Sequence, residues 1–317
     1  MSTWLDQWDR RYTDRVQLLV DVLPVFAQEP RFALKGGTAI NLFEHDLPRL
    51  SVDIDLAWLP MQDYAVDAVQ IEAAMAQLAD VLRARPWQLQ VQLSAGDGGR
   101  VATRLVVSRG RARVQIETTP VMRGTVHPVR EMVVRPKVEE AFGFASVRVL
   151  DFADLYAGKL AAALSRQHPR DLFDVSLLLE DERADGTLWR TFLVYLTCSP
   201  KPAWEMLAPR EPADFEATFN AHFRGMTSAP VSVEQLLQSR ARLLERVAAW
   251  LDQPSQAFLR SVEAERPDFG LIDLHHARDL PGVRRKLHNL TQRSDAKRQA
   301  DSLQLEQALA RIAGRAG

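Results

Sequence analysis

The hydrophobic pattern of the chain changes its period near residue 150, and this change limits the folds open to it. Before that point, apolar runs of strand length recur at residues 31–34, 51–59, 87–93, 101–107, 112–118 and 146–150. Residues 87–93 read WQLQVQL, an alternation that predicts a strand with one face in water. Asp97-Gly98-Gly99 separates two of the runs and predicts a hairpin. We therefore expect a mixed α+β unit with at least one antiparallel strand pair.

Helical spacing predicts the remaining elements. It indicates helices over about residues 3–28, where Pro24 marks a kink or an end, and over 62–84. After residue 150 the pattern is helical, first over 154–165 and 170–179. Four prolines in residues 199–212 are typical of a linker. We expect an α+β domain over 1–198, a linker over 199–212 and a helical domain over 213–317.

Composition excludes several classes of protein. The 317 residues include one cysteine, Cys198, which excludes a disulfide framework and a cysteine-rich zinc site. Lys plus Arg number 40 and Asp plus Glu 41, so any surface that binds nucleic acid must be local. The sequence has no apolar run long enough for a membrane span and no signal-peptide pattern at its start. We expect a cytoplasmic protein without a membrane partner.

Lys35-Gly36-Gly37-Thr38 follows a short predicted strand and opens a helix. Two glycines allow a ligand to approach the backbone closely, and the N–H groups at a helix start can bind phosphate oxygens together with the Thr38 hydroxyl. The pattern is not a P-loop, because no Gly-Lys-Ser/Thr follows at the required spacing. The alternative is a glycine turn in which Thr38 merely caps the helix.

Two acidic residues lie on one face of the next predicted strand. Side chains alternate along a strand, so Ser51, Asp53 and Asp55 share one face, and Val52 and Ile54 the other. Carboxylates at this spacing repel each other, and a divalent ion such as Mg²⁺ or Mn²⁺ would compensate them. The alternative is a half-exposed strand with its acids in solvent.

Glu117 is the candidate third carboxylate. It alternates with Val114 and Ile116 on the predicted strand 112–118 and lands near Asp53 and Asp55 if the two strands pair. Three acids can hold two metal ions, which activate a hydroxyl and stabilise a leaving pyrophosphate. The alternative is a surface acid paired with an arginine.

Together these motifs resemble the nucleotidyltransferase fold of the DNA polymerase β type. The finer pattern, LKGGTAINLF followed by R-x-S-x-D-I-D-L, resembles the AbiEii/AbiGii toxins of bacterial type IV toxin–antitoxin systems. That family also carries a lysine on a helix before an Arg-Asp helix start. The matching residues here are Lys159 in DLYAGKLAAALS, then Arg166, then Arg170-Asp171. The resemblance covers roughly residues 30–180.

The resemblance implies a polymerase β-like lobe with a mixed sheet, plus a helical C-terminal lobe, and nucleotide transfer from an NTP. RNA, in particular the tRNA 3′ end, is the implied acceptor, and a cognate antitoxin is a further implied partner. Lys159 matches the lysine near the triphosphate, and Asp171 a carboxylate that places the acceptor or that lysine; Asp174 could replace it. Without the resemblance, Lys159 could equally extend its ammonium to solvent. The expected nucleotide contacts are Gly36, Gly37, Thr38, Ser51 and Arg170.

Two arginine-rich stretches are candidates for phosphate binding. Residues 100–113 include Arg109, Arg111 and Arg113, which we expect on the same face as Glu117. Residues 284–298 hold six Lys or Arg and one acid, Asp295. Either stretch could instead be a solvated face.

Two other functions remain open at this stage. One is an NTP- or RNA-binding module of the same fold without catalysis. The other is nucleotide transfer to a protein or a small molecule.

Overall fold

The computed structural model describes residue 8 and residues 10–96 and 101–314. Within them the chain forms two compact units, one of residues 1–151 and 224–230, the other of residues 152–223 and 231–317. The expected domain boundary therefore needs correction, because the helices from residue 152 onward pack with the later helices. The proline-rich stretch lies inside the second unit, where Pro202 begins a short helix with Met206 and Leu207 buried. Of the four prolines that predicted a linker, Pro202 is the N-cap residue of this helix.

The first unit contains a seven-stranded mixed sheet, in the order β3-β4-β5-β2-β1-β7-β6. Its strands are β1 (Phe32–Lys35), β2 (Asp53–Trp58), β3 (Gln90–Ala95), β4 (Ala102–Arg109), β5 (Ala112–Arg123), β6 (Arg130–Val133) and β7 (Ser146–Val149). Strands β1 and β7 are parallel, as are β2 and β5, and the other neighbours are antiparallel. The expected α+β class with a mixed sheet is confirmed. Strand β6 was not predicted, because it has only four residues, two of them charged.

Several helices belong to the first unit, and the two longest of them cover one face of this sheet. The helices of this unit are α1 (Arg10–Ala27), α2 (Gly36–Ala39), which continues as a π-helical turn (Ile40–Glu44), α3 (Tyr64–Arg83) and α4 (Pro136–Phe142). Helices α1 and α3 pack on the strands, and the apolar side chains of β2, β4 and β5 that alternate toward them are fully buried, among them Ile54, Leu105 and Ile116. The opposite face is left for polar residues. Helix α1 continues three residues beyond Pro24.

The predicted hairpin is confirmed by the antiparallel pairing of β3 and β4, although Asp97-Gly98-Gly99 lies outside the described residues. A later segment of the chain also belongs to the first unit. Residues 224–230 return to it, where Thr227 forms a bridge with Arg49 and the Leu50 N–H donates to the Met226 carbonyl at 2.7 Å.

The second unit is helical, as expected for the C-terminal part. Its helices are α5 (Phe152–Arg166), α6 (Pro169–Leu178), α7 (Gly186–Cys198), α8 (Ala203–Leu207), α9 (Phe215–His222), α10 (Val233–Trp250), α11 (Gln253–Glu263), α12 (Pro281–Thr291) and α13 (Asp295–Ala313). Side-chain caps at Asp185, Ser232, Asp252 and Ser294 set where four of them begin. Helix α5 packs on α6 and α7.

Candidate active site

The two aspartates of β2 share the sheet face that the helices leave uncovered. Ile54 and Leu56 are buried on the helix side, whereas Asp53 and Asp55 are half-buried on the other side. The alternation that predicted this placement is confirmed.

The glycine turn lies directly against Asp55. Lys35 of β1 is opposite Asp55 in register, and Gly36 follows with a φ of +76°. A Cβ at Gly36 would collide with the Asp55 carboxylate, and one at Gly37 would lie 2.5 Å from Nη2 of Arg49. Position 36 therefore requires glycine, because of its positive φ and the Asp55 carboxylate, whereas a side chain at position 37 would have to displace the end of Arg49.

The N–H groups at the start of α2 point to anion binding. Lys35 is the N-cap residue and makes no side-chain cap hydrogen bond, so the first turn has no side-chain acceptor of its own. Together with the positive end of the helix dipole, such groups can bind phosphate oxygens.

Thr38 and Ser51 hold the turn on β2. Thr38 is fully buried; its hydroxyl donates to the Asp53 carbonyl at 2.5 Å and lies 3.0 Å from Oγ of Ser51, from which it can accept. Thr38 is thus not the helix cap of the alternative interpretation; it lies within the helix. Both hydroxyls thus form hydrogen bonds that connect the glycine turn to the start of β2.

Arg49 also lies in this site, although it was not among the predicted contacts. It is buried beside Gly37, and Nη1 donates to the Leu50 carbonyl at 2.9 Å. Its position four residues before Asp53, in the R-x-S-x-D pattern, was the available signal.

Glu117 lies where the alternation of β5 predicted. Strands β2 and β5 pair in parallel, and Asp55 is directly opposite Glu117. Its carboxylate also accepts a short hydrogen bond from Nε of Arg104 on β4, so the alternative of an acid paired with an arginine holds as well. Among the described residues, no group of three or more His, Cys, Asp or Glu side chains is arranged to hold a metal ion.

The expected patch of Arg109, Arg111 and Arg113 does not form. Arg109 is opposite Ala112 in register and therefore faces the helices, where it donates to Asp21 of α1 at 2.5 Å. Arg111 lies in the two-residue turn between β4 and β5. Only Arg113 alternates onto the face of Glu117, because the turn at residues 110–111 puts Arg109 on a separate strand, β4, where its pairing with Ala112 turns it to the other face.

Lys159 forms a buried charge cluster in the second unit. Its side chain on α5 is 8% exposed, and Nζ lies 2.9 Å from Oδ1 of Asp171 and 2.9 Å from Oδ2 of Asp174. Arg166 donates to the other oxygen of Asp171 at 2.6 Å. The lysine is thus aimed at anions, and both candidate carboxylates of α6 contact it.

Charge and burial oppose each other at Asp171. Burial by itself would raise the pKa of Asp171, but the charges and hydrogen bonds of Lys159 and Arg166 outweigh it and hold that pKa well below its usual range. The carboxylate is therefore ionised at neutral pH.

His168 begins α6. Its Nδ1 accepts from the half-buried Arg170 at 3.1 Å, through the backbone N–H, as a helix cap. Burial and, to a smaller extent, the nearby charge of Arg170 lower the pKa of His168 to about 4. The imidazole is neutral at physiological pH, as a capping acceptor requires.

The basic stretch 284–298 is largely engaged within the second unit. The Lys286 ammonium donates to the carbonyls of Ser199 and Lys201 at 2.7 and 2.9 Å, and Arg293 donates to Asp301 at 3.0 Å. Burial lowers the pKa of Lys286. These two cations therefore stabilise the helices, which neither interpretation of the stretch had anticipated.

Comparison with known proteins places these motifs in a family. The family model described as nucleotidyl transferase AbiEii toxin, type IV TA system, matches residues 17–289. The solved structure of MenT4, a nucleotidyltransferase toxin from Mycobacterium tuberculosis, has a similar fold, with a TM-score of 0.60 and 17% identity. That match covers 89% of this chain and 95% of the other. No curated protein matches the sequence. None of the described helices is long and apolar enough to cross a membrane.

Proposed function

The chain belongs to the AbiEii family of nucleotidyltransferase toxins of type IV toxin–antitoxin systems, and from this premise we propose that it transfers a nucleoside monophosphate from an NTP to an RNA. The proposed acceptor is the 3′ end of a tRNA. The bond between the α-phosphorus and the β-phosphate bridging oxygen breaks as the bond to the acceptor hydroxyl oxygen forms, and pyrophosphate leaves. The proposed location of the protein is the cytoplasm, where NTPs and tRNA occur. The proposed regulator of the protein is a cognate antitoxin.

One observation carries the proposal. Asp53 and Asp55 share the uncovered face of β2, with the Gly36-Gly37 turn in direct contact with Asp55. Carboxylates beside a helix start place oxygen ligands for a cation next to N–H groups that donate to phosphate oxygens.

The residues present fit a divalent ion. Carboxylate oxygens are the ligands that Mg²⁺ and Mn²⁺ prefer, and both aspartates are accessible because they are half-buried. Asp53 and Asp55 would hold the ion, and Glu117 is the proposed third ligand because it lies opposite Asp55. A bound ion would stabilise the charge that develops on the leaving pyrophosphate.

The protein's own groups have distinct proposed roles. The N–H groups of Gly36 and Gly37 donate to phosphate oxygens of the nucleotide. Thr38 and Ser51 were expected as nucleotide contacts. Their proposed role is to stabilise the glycine turn, because both hydroxyls are buried against β2. This shapes the phosphate site without touching the ligand.

Residues of α5 and α6 have proposed roles as well. Lys159 is assigned to the triphosphate and Asp171 to holding that lysine, since the two are already in contact. Arg170, half-buried at the start of α6, is the further proposed nucleotide contact.

The test is transfer of label from NTPs. The protein is incubated with Mg²⁺, total tRNA and each of the four NTPs labelled at the α-phosphate. We expect labelled tRNA with wild-type protein and none with Asp55→Asn. Label on protein or on a small molecule would identify a different acceptor, and nucleotide binding without transfer would identify a module that only binds.

A further inference from the structure

Four charged side chains form a row across the uncovered face of the sheet. Register places Lys35 of β1 opposite Asp55, Asp55 opposite Glu117, and Glu117 opposite Arg104. Residues opposite each other on neighbouring strands point to the same face. The charges along the row are positive, negative, negative and positive, so the two carboxylates lie side by side at its centre.

The central pair of carboxylates needs compensation. Like charges directly opposite each other on neighbouring strands destabilise a sheet. Arg104 supplies a positive charge from the outer side, since its Nε donates to Oε1 of Glu117. Arg104 thereby compensates the negative charge of Glu117, as a divalent cation would.

This ion pair can exchange its partners at low cost. The Arg104 side chain is 23% exposed and that of Glu117 is 33% exposed, so water and solutes reach both. Ion pairs that are open to solvent contribute little to stability. By contrast, the Arg123–Asp67 pair of the same unit is 5% and 0% exposed and is enclosed by the fold.

We propose that Arg104 is a triphosphate-binding residue that is held by Glu117 until a nucleotide arrives. This inference rests on the proposed function. When an NTP with its divalent ion occupies the face beside Asp55, Glu117 turns to the ion and the guanidinium of Arg104 turns to phosphate oxygens. A guanidinium suits this exchange because its planar donors match carboxylate and phosphate equally well.

The exchange predicts opposite effects on two ligands. In calorimetric titrations of the full chain, Arg104→Gln should weaken binding of the preferred NTP about tenfold, the equivalent of one charge-assisted hydrogen bond. The same change should tighten binding of Mn²⁺ alone about threefold, because Glu117 loses a competing cation. An arginine with only a structural role would not shift the two affinities in opposite directions.

Arg109→Gln is the matched control. Arg109 lies on the same strand and is also paired with a carboxylate, Asp21, but on the opposite face. It should leave both affinities unchanged. Glu117→Gln provides a second measurement: without divalent ions it should tighten NTP binding about threefold, since Arg104 is released, and the double variant with Arg104→Gln should lose that gain.

The outcomes separate the two proposals. If wild-type protein binds NTP and the Arg104→Gln and Arg109→Gln variants bind it with equal affinity, this inference is overturned. The proposed function then stands. If Arg104→Gln weakens Mn²⁺ and NTP equally with a lower melting temperature, the residue is structural and the inference is likewise overturned. If wild-type protein binds none of ATP, CTP, GTP and UTP, both proposals fail.

Discussion

The Nζ atom of Lys159 lies 2.9 Å from Oδ1 of Asp171, and both side chains are almost entirely buried. Asp174 receives the same ammonium at 2.9 Å, and Arg166 completes the cluster. One lysine therefore connects α5 to two carboxylates of α6, so a change to it should affect stability.

Replacing Lys159 with methionine should destabilise the protein. Two buried carboxylates would lose their common cation, a change that typically costs about 3–5 kcal/mol when a buried pair is broken. The free energy of unfolding in urea measures the loss. The double variant Lys159→Met/Asp174→Asn should recover part of it, because one uncompensated charge is removed; a double variant no more stable than the single one would show that the pairing contributes nothing.

Replacing Asp53 or Asp55 with asparagine should abolish transfer and preserve the fold. Loss of a metal-binding carboxylate should reduce the rate by at least about a hundredfold. Stability should be unchanged or slightly higher, since neighbouring carboxylates repel each other. Labelled-NTP transfer and urea unfolding measure the two effects, with Asp80→Asn on the exposed side of α3 as control. Full transfer by both variants would rule out their role in metal binding.

Gly36→Ala should inactivate the enzyme, whereas Gly110→Ala should not. Both glycines have a positive φ, +76° and +59°, so each alanine should cost about 1–2 kcal/mol. Only at Gly36 would the added methyl group meet a functional group, the Asp55 carboxylate; at Gly110 no atom lies within 4 Å. Transfer assays at equal folded fraction separate crowding from backbone strain. Equal activity of the two variants would contradict the close approach.

His168→Asn should remove part of the acid sensitivity of the protein. The folded protein lowers the pKa of His168 from 6.5 to about 4, so the unfolded chain binds more protons in this interval. Stability therefore falls as the pH decreases from about 6.5 to about 4. Asparagine retains a capping acceptor but does not titrate.

Urea midpoints at pH 7, 5.5 and 4.5 measure this effect, and the exposed His288 on α12 supplies the control variant His288→Asn. A variant at position 168 that keeps the wild-type pH dependence would assign the acid sensitivity to other groups.

Local patterns in the sequence were sufficient to predict part of the candidate site. The alternation along β2 places Asp53 and Asp55 on one face, because a strand with one buried face allows only one orientation of its side chains. Gly36-Gly37 marked the turn, and the family resemblance indicated Lys159 and Asp171. Alternation did not predict the position of Arg109, because this residue ends β4 and alternation along β5 does not continue across the turn between the two strands.

The sequence by itself determined the α+β class and the family, since both depend on periodicity and on motifs within short stretches. Tertiary structure alone decided the partners: Arg104 for Glu117, Asp174 for Lys159, Arg49 beside Gly37, and backbone carbonyls for Lys286. Tertiary structure also decided that the first unit ends at residue 151 and includes residues 224–230. Each of these depends on which distant segments pack together, and pairing across such distances follows from the summed burial and register of whole elements, which no local spacing encodes.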